Sequence, residues 1–326
     1  MTHTRWLTTR IIYLVITIFA VITLNFIIFR LMPGDPIRIL IGERLLKPEV
    51  ADEVRRMFGL DRPLWEQYVM YIKNLLTGYL GYSLYWRRPV LDIILERLPI
   101  TILLLGTSTT ISLILGVILG IKAATKRGSK VDVGIITASL VFYAVPVFWI
   151  GMMLLLFLSV YIPLFPIGKT TSIPPPSDPF LYVLDLLWHL TLPVTALVLI
   201  EFGGFALLMR SSLLEVLTEN YIVTARAKGL PERIVLYGHA FRNAVLPIVT
   251  AAALSFGYVV GGATLTETVF SIEGVGRLIF EAVIQRDYPV LQGAFFILAV
   301  SVVIANFIAD ILYALLDPRI RYERSR

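Results

Sequence analysis

Cysteine is absent from this 326-residue chain, and charge is scarce: Asp, Glu, Lys and Arg together make up 16% of it. The first absence excludes a disulfide staple, a zinc-thiolate site and a cysteine nucleophile, and leaves the redox compartment open. The second excludes an ordinary water-facing surface, because soluble domains carry roughly 25% charged residues. Histidine is nearly missing too. His3, His189 and His239 are far apart and lack metal-ligand spacing. No nucleophile elbow and no nucleotide motif occurs. Gly168-Lys169-Thr170 looks like the end of a phosphate-binding loop, but that motif needs a glycine five residues earlier, and position 163 is proline. The long apolar runs hold few ionisable residues, which argues against a proton- or sodium-coupled carrier.

What is present in quantity is hydrocarbon. Hydrophobic residues make up 57% of the chain, and its mean hydropathy is +0.80. These values describe an all-α polytopic membrane protein. The net charge of +6 and the pI near 9.5 then belong to basic loops on the cytoplasmic side rather than to a nucleic-acid surface. The expected partner of the apolar surface is membrane lipid.

Six apolar runs are long enough to be spans, since about 20 helical residues cross the hydrocarbon core. Residues 11–31 form the first, read as uncleaved because Met32-Pro33-Gly34 follows it rather than a small-residue cleavage site. Asn25 lies within it, placed to bond a neighbouring helix for ~0.6–2 kcal/mol. Residues 101–121 form the second, with Gly116 and Gly120 on one face suited to close helix approach. Residues 133–160 would run about 42 Å as a helix against ~30 Å of hydrocarbon, so tilt or a kink at Pro146 is expected. The proline-rich stretch 161–185 reads as an extended outer loop. Residues 189–209 form the fourth span, interrupted by Glu201 and Gly203-Gly204. Glu201 is a candidate pathway or interhelix group, because an ionisable residue at that depth is costly. Residues 245–262 form the fifth span, with Gly257 and Gly261 four apart. Residues 290–316 form the sixth, where Asn306 and Asp310 share a face as further interhelix candidates.

The loops orient the chain. Lys122, Lys126, Arg127 and Lys130 face only Asp132 in the loop after the second span, and Arg321, Arg324 and Arg326 crowd the tail. Both mark the cytoplasm, so both termini are expected inside. Residues 34–99 form the longest polar region, with nearly balanced charge. Two amphipathic helices are expected in it, over 48–58 and 64–76, as a small subdomain on the outer face. The expected divisions are 1–31, an extracytoplasmic insert over 32–100, and a five-helix core over 101–326 with an inner loop at 210–244.

That inner loop is the most organised polar stretch. Asn220 is placed to cap a helix beginning at Tyr221, Gly229 to end it in a left-handed conformation, and Pro231 with Glu232 to start a second. The run Tyr221, Thr224-Ala225-Arg226-Ala227-Lys228-Gly229-Leu230, then His239, Arg242-Asn243 and Leu246-Pro247, resembles the cytoplasmic loop of membrane subunits of ABC importers. It is most similar to the permease family that carries dipeptides, oligopeptides and nickel. The Gly59-Leu60-Asp61 and Gly78…Gly81…Ser83 punctuation, the Glu267…Val269-Phe270…Gly274-Val275-Gly276 run and Asp287-Tyr288-Pro289-Val290 are similar to that family as well.

The resemblance implies a type I importer permease fold with six transmembrane helices, in the plasma membrane of a prokaryote. It implies no catalysis in this chain and no cofactor of its own, ATP being used by partner subunits. The partners it implies are a second related permease, two ATP-binding subunits and an extracytoplasmic substrate-binding protein. The first loop helix would dock on an ATPase subunit, with Tyr221, Ala225 and Gly229 recurring at i, i+4 and i+8 as a small close-packing face. Those residues are equally suited to packing against the second loop helix of the same chain. Arg226 and Lys228 would reach carboxylates of the partner. Glu267, Gly274, Gly276 and Asp287 lie where the binding protein would dock. Import of peptides is the leading expectation. Oligosaccharide import by the same machinery is the alternative, and a passive channel or scaffold is the reading from another class.

Overall fold

The computed structural model describes residues 3–31, 61–83, 85–259 and 263–316. The expected helix over 48–58, Gly261 and the basic tail lie outside them. Among the described residues the regular structure is helical apart from one short hairpin of two-residue strands. In order the elements are α1 (His3–Leu31), α2 (Leu64–Leu76), β1 (Tyr82–Ser83), β2 (Arg88–Pro89), α3 (Val90–Thr125), α4 (Lys130–Ala144) and α5 (Val147–Leu155). They continue with α6 (Pro179–Val216), α7 (Asn220–Ala227), α8 (Glu232–Ile234), α9 (Phe241–Ala244), α10 (Leu246–Tyr258), α11 (Thr264–Val269), α12 (Val275–Ile284) and α13 (Tyr288–Leu316). Wider π turns extend α5 over Leu156–Tyr161 and join α8 to α9 over Val235–Ala240.

Among the described residues, four helices are long and apolar enough to cross a membrane, and two further pairs pass the same test as bent units. One pair joins α4 to α5 through a 96° bend, and the other joins the α8–α9 run to α10 through 46°. The third apolar run is therefore not one tilted helix. Val145 and Pro146 are extended, with Pro146 at φ −60° and ψ 134°. Proline has no N–H to continue the ladder and pushes the residue before it out of the helical region.

Two other boundaries differ from expectation. α3 begins at Val90, eleven residues before the expected second span and inside the stretch assigned to the insert, and it runs through Pro99. α6 begins at Pro179, inside the supposed extended loop. Asp178 caps it by accepting from the N–H groups of Phe180 and Leu181 at 2.9 Å, with Pro179 at the first helical position. Asp92, Glu96 and Arg97 give the first turns of α3 the look of a loop, and the prolines at 163, 166 and 174–176 extend that look to the start of α6.

The centre of the bundle is the crossing of α3 and α6. A Cβ on Gly116 would lie 2.5 Å from the Phe205 Cβ and 2.8 Å from the Phe202 carbonyl, and one on Gly120 would lie 2.6 Å from the Ala206 carbonyl. Only glycine lets the backbones meet so closely, which is how membrane helices gain dispersion contact when lipid offers no hydrophobic drive between them. Gly257 of α10 approaches Ala305 of α13 in the same way. α1 packs beside α13: Asn25 donates to the Gln292 carbonyl at 3.1 Å and to the Tyr71 hydroxyl of α2 at 2.9 Å. At the other end of these two helices, Arg10 and Asp310 form an ion pair of 2.8 Å.

Candidate functional site: the loop between α6 and α10

The loop is a short helix folded back on its own root. α7 begins at Asn220 itself, with Glu219 at the capping position and no side-chain cap. The expected Asn220 cap is thus corrected: its backbone is already helical, and its carbonyl accepts from Thr224 Oγ1 at 2.9 Å. The end of α7 is as expected. Gly229 adopts φ +74°, and its N–H donates to the Arg226 carbonyl at 2.9 Å. Pro231 sits one residue ahead of α8, as its N-cap.

The inner face of α7 is committed to this chain. Ile222 and Ala225 are buried in one cluster with Met209 and Leu213 of α6, Val235, Ala240 and Ala244 of the following run, and Ile248 of α10. Of the two uses open to the small residues, Ala225 serves packing within the chain. Leu230 is partly buried against the same cluster. Tyr221 keeps its ring exposed while its hydroxyl accepts from Asn243 Nδ2 at 2.7 Å. Arg226 is also occupied at home: its Nη2 donates to Glu232 Oε1 at 2.6 Å and its Nε to Oε2 at 3.2 Å. This pairing raises the Arg226 guanidinium further and holds the Glu232 carboxyl below the ordinary range, in both cases chiefly through the hydrogen bond. Exposed on the outward side are Tyr221, Val223, Thr224, Ala227, Lys228 and Gly229, with His239 and Pro247 farther along.

Two fasteners hold the root. Ser212 Oγ donates to the Ala244 carbonyl at 2.9 Å, tying α6 to α9. Arg210 of α6 donates from Nε and Nη2 to the two carboxylate oxygens of Asp132, at 2.6 and 2.8 Å. Asp132 also accepts from the Gly128 N–H at 2.9 Å, so one carboxylate joins the turn before α4 to the end of α6. Sequence reasoning saw Asp132 only as the single acid in a basic loop. The available signal was its place three residues after Ser129, in a helix-capping spacing, and Ser129 Oγ does accept from the Asp132 N–H at 3.3 Å.

The four residues expected where the binding protein would dock are buried within the far loop. Glu267 is fully buried and accepts from Thr101 Oγ1 at 3.0 Å and from the Arg277 N–H at 2.9 Å. Asp287 is fully buried, accepting from Ser83 Oγ at 2.6 Å and capping α13 at the Val290 N–H. Gly274 and Gly276 lie against Glu267, buried beside Thr101 and Thr264. The four shape the α11–α12 element, whose exposed positions are Leu265, Glu273, Phe280 and the run Val283 to Arg286. Glu201 stands midway along α6, partly exposed, with Thr109 Oγ1 of α3 at 3.5 Å. Asn306 is exposed on α13, and Asp310 is taken by Arg10. The structure therefore gathers the loop residues into one place and leaves Glu201, Asn306 and Asp310 as separate positions.

Residues 112–322 match the family described as binding-protein-dependent transport system inner membrane component, and residues 3–105 match the N-terminal family of the same membrane components. The chain is 39% identical over 325 residues to a di/tripeptide transport system permease protein of Pseudomonas aeruginosa, covering 95% of this chain and 97% of that one. It is 38% identical to a dipeptide transport system permease protein of Escherichia coli K12, again covering 95% and 97%. An oligopeptide transport system permease protein of Bacillus subtilis is 37% identical over 92% of this chain and 93% of its own. These relatives are transport components, not enzymes. Among solved structures, an inward-facing MetNI methionine ABC transporter superposes with a TM-score of 0.54 at 15% identity, covering 69% of this chain and 96% of that one. The multi-pass helices, the clamped loop and these matches together place the chain in the family of inner-membrane components of binding-protein-dependent transport systems.

Proposed function

We propose that this chain forms half of the translocation pathway of an ATP-driven importer of short peptides, and that α7 is where an ATPase subunit bears on it. Membership of the family implies ATP-binding subunits and a binding protein in general terms. The finer reading is a heterodimer with a second, related permease, two ATPase subunits, and a binding protein on the outer face. It has six spans if each bent pair crosses once, with both termini in the cytoplasm of a prokaryotic cell. ATP is bound and hydrolysed by the partners, and this chain contributes no cofactor site.

The observation that carries the reading is the way α7 is held. A helix that only connected two spans would need no fastening. Here Ile222 and Ala225 are buried, Tyr221 is bonded to Asn243 and Arg226 to Glu232. The remaining face, with Tyr221, Val223, Ala227 and Lys228, is open to a partner. A push on that face passes through the shared cluster to α6 and through Arg210–Asp132 to α4. The substrate class follows the relatives, whose names specify dipeptides, tripeptides and oligopeptides.

The test is reconstitution of the chain with its co-purifying partners in proteoliposomes, with ATP-dependent uptake of labelled di- and oligopeptides measured beside oligosaccharides. Uptake of peptide, dependent on ATP and binding protein, is expected. Uptake of oligosaccharide alone would transfer the reading to that substrate. Purification without any ATPase, together with ATP-independent flux, would replace it with a passive channel.

A further inference from the structure

We propose that α2 is a membrane-interface helix whose exposed apolar edge lies in lipid beside α1, rather than against a protein partner. At 100° per residue, the apolar residues of Leu64–Leu76 gather on one side, Met70 alone falling among the polar ones. From Tyr71 through Leu64, Leu75, Tyr68, Ile72, Trp65 and Leu76 to Val69, an unbroken apolar arc of about 160° forms, with Lys73, Glu66, Asn74 and Gln67 opposite. One edge of that arc packs on α1. Tyr68 shares a hydrogen bond of 2.6 Å with Thr23, Tyr71 accepts from Asn25 at 2.9 Å, and Phe26 meets the Tyr68 ring edge-on at 5.1 Å. The other edge is uncovered: Trp65 is 67% exposed, Val69 57% and Leu76 82%.

Depth identifies what covers it. Thr23 and Asn25 belong to the candidate span Thr8–Arg30. They lie seven and five residues short of its end, about 8–11 Å along the axis. An interfacial helix buries its apolar face about 5–10 Å into the headgroup and acyl boundary, so α2 touches α1 at that level. The flanking face of α1 is itself exposed hydrocarbon, with Phe19, Leu24 and Ile28 uncovered. The apolar edge of α2 thus continues a surface that already belongs to lipid. Aromatic content agrees: seven of the 22 residues from 65 to 86 are Trp or Tyr, against 12% aromatic residues in the whole chain. Such amphipathic rings concentrate at headgroup level.

The cysteine-free chain allows a direct test in the assembled complex. Val69→Cys, Leu76→Cys and, on the opposite face, Lys73→Cys would each be labelled with an environment-sensitive nitrobenzoxadiazole probe. The complex would be placed in phosphatidylcholine nanodiscs, with nitroxide carried on the lipid or iodide in the water. All three positions are exposed, so substitution does not disturb packing. Labels at 69 and 76 are expected to emit at shorter wavelength and lose about threefold in intensity to the lipid-borne quencher, with iodide effective only at 73. Quenching at 69 and 76 by iodide alone would place this edge in water. Protection from both quenchers would place a protein there, the binding protein or the second permease. Either result overturns the proposal.

Discussion

Arg210 and Asp132 meet side-on, two N–H donors against two carboxylate oxygens at 2.6 and 2.8 Å, and so bind the end of α6 to the first turn of α4. The geometry is the planar fork that only arginine supplies. Arg210→Lys is expected to keep the charge and lose the second bond, lowering the midpoint of thermal unfolding slightly. Arg210→Ala would leave Asp132 without its cation and lower the midpoint by several degrees. Reversing the pair is not expected to restore it, because the Gly128 N–H needs a carboxylate at position 132. Differential scanning fluorimetry of the purified complex distinguishes these outcomes, and full recovery in the reversed pair would contradict the geometry.

Gly116 and Gly120 should tolerate nothing larger. Gly116→Ala and Gly120→Ala are each expected to cost about 1–3 kcal/mol through overlap with α6. Gly106→Ala and Gly134→Ala make the comparison, since a Cβ there meets nothing within 4 Å. Those two should be neutral or stabilising by about 0.5–1 kcal/mol, as expected for removing glycine from a helix interior. Equal losses at all four sites in a denaturation series would discount the close crossing.

Gly229 is left-handed at φ +74° with open space around it. Gly229→Leu therefore strains the backbone by about 1–2 kcal/mol without a clash. The expected result is a folded complex that hydrolyses ATP but moves less substrate per ATP, because α7 no longer meets the following run at the same angle. Gly229→Asn should recover most of the coupling, since asparagine accepts this conformation. Unchanged uptake in the leucine variant would remove the turn from the mechanism.

The Arg226–Glu232 pair gives the loop a pH dependence of known sign. The folded carboxyl titrates below its unfolded value of about 4.3, so its contribution is complete above that pH and disappears as pH falls through the lowered value. Protection of residues 226–232 from hydrogen exchange, taken relative to the intrinsic rate at each pH, should therefore fall as the medium is acidified through that window. Glu232→Gln should show lower protection at neutral pH and little change in protection across the window.

Glu267→Gln should loosen the α11–α12 element. The carboxylate accepts from Thr101 and the Arg277 N–H, whereas an amide offers one oxygen and turns donors toward donors. A loss of about 1–3 kcal/mol is expected, together with faster proteolysis between residues 263 and 287.

Much of this was legible because membrane helices announce themselves by hydrophobicity and glycine spacing. Gly116 and Gly120 were placed on a packing face, Asn25 in an interhelix bond and Gly229 in a left-handed turn, each from one local rule. What stayed illegible depended on partners distant in sequence. Nothing local to Glu267 predicts that Thr101 will bury it, and nothing near Arg226 ranks Glu232 above an outside carboxylate. The same limit hid Arg210–Asp132, residues 78 positions apart. Helix ends escape such rules where a charged first turn, as at Val90, or a preceding run of prolines, as at Pro179, reads as loop.

α6 runs unbroken for 38 residues, about 57 Å at 1.5 Å per residue. One end is fastened to the α7 loop and the other emerges at Asp178. It is therefore one continuous helical arm from the loop to the far surface, with Pro193 its interior proline after the first turn. Tilting it by about 5° about its loop end would carry the far end about 5 Å, the width of a peptide backbone, for almost no displacement at the α7 contact. Pro193, which withholds one backbone donor within the helix, is the place where that arm would flex. Its stiffness there would set how much of a small motion at the loop arrives as an opening at the other side.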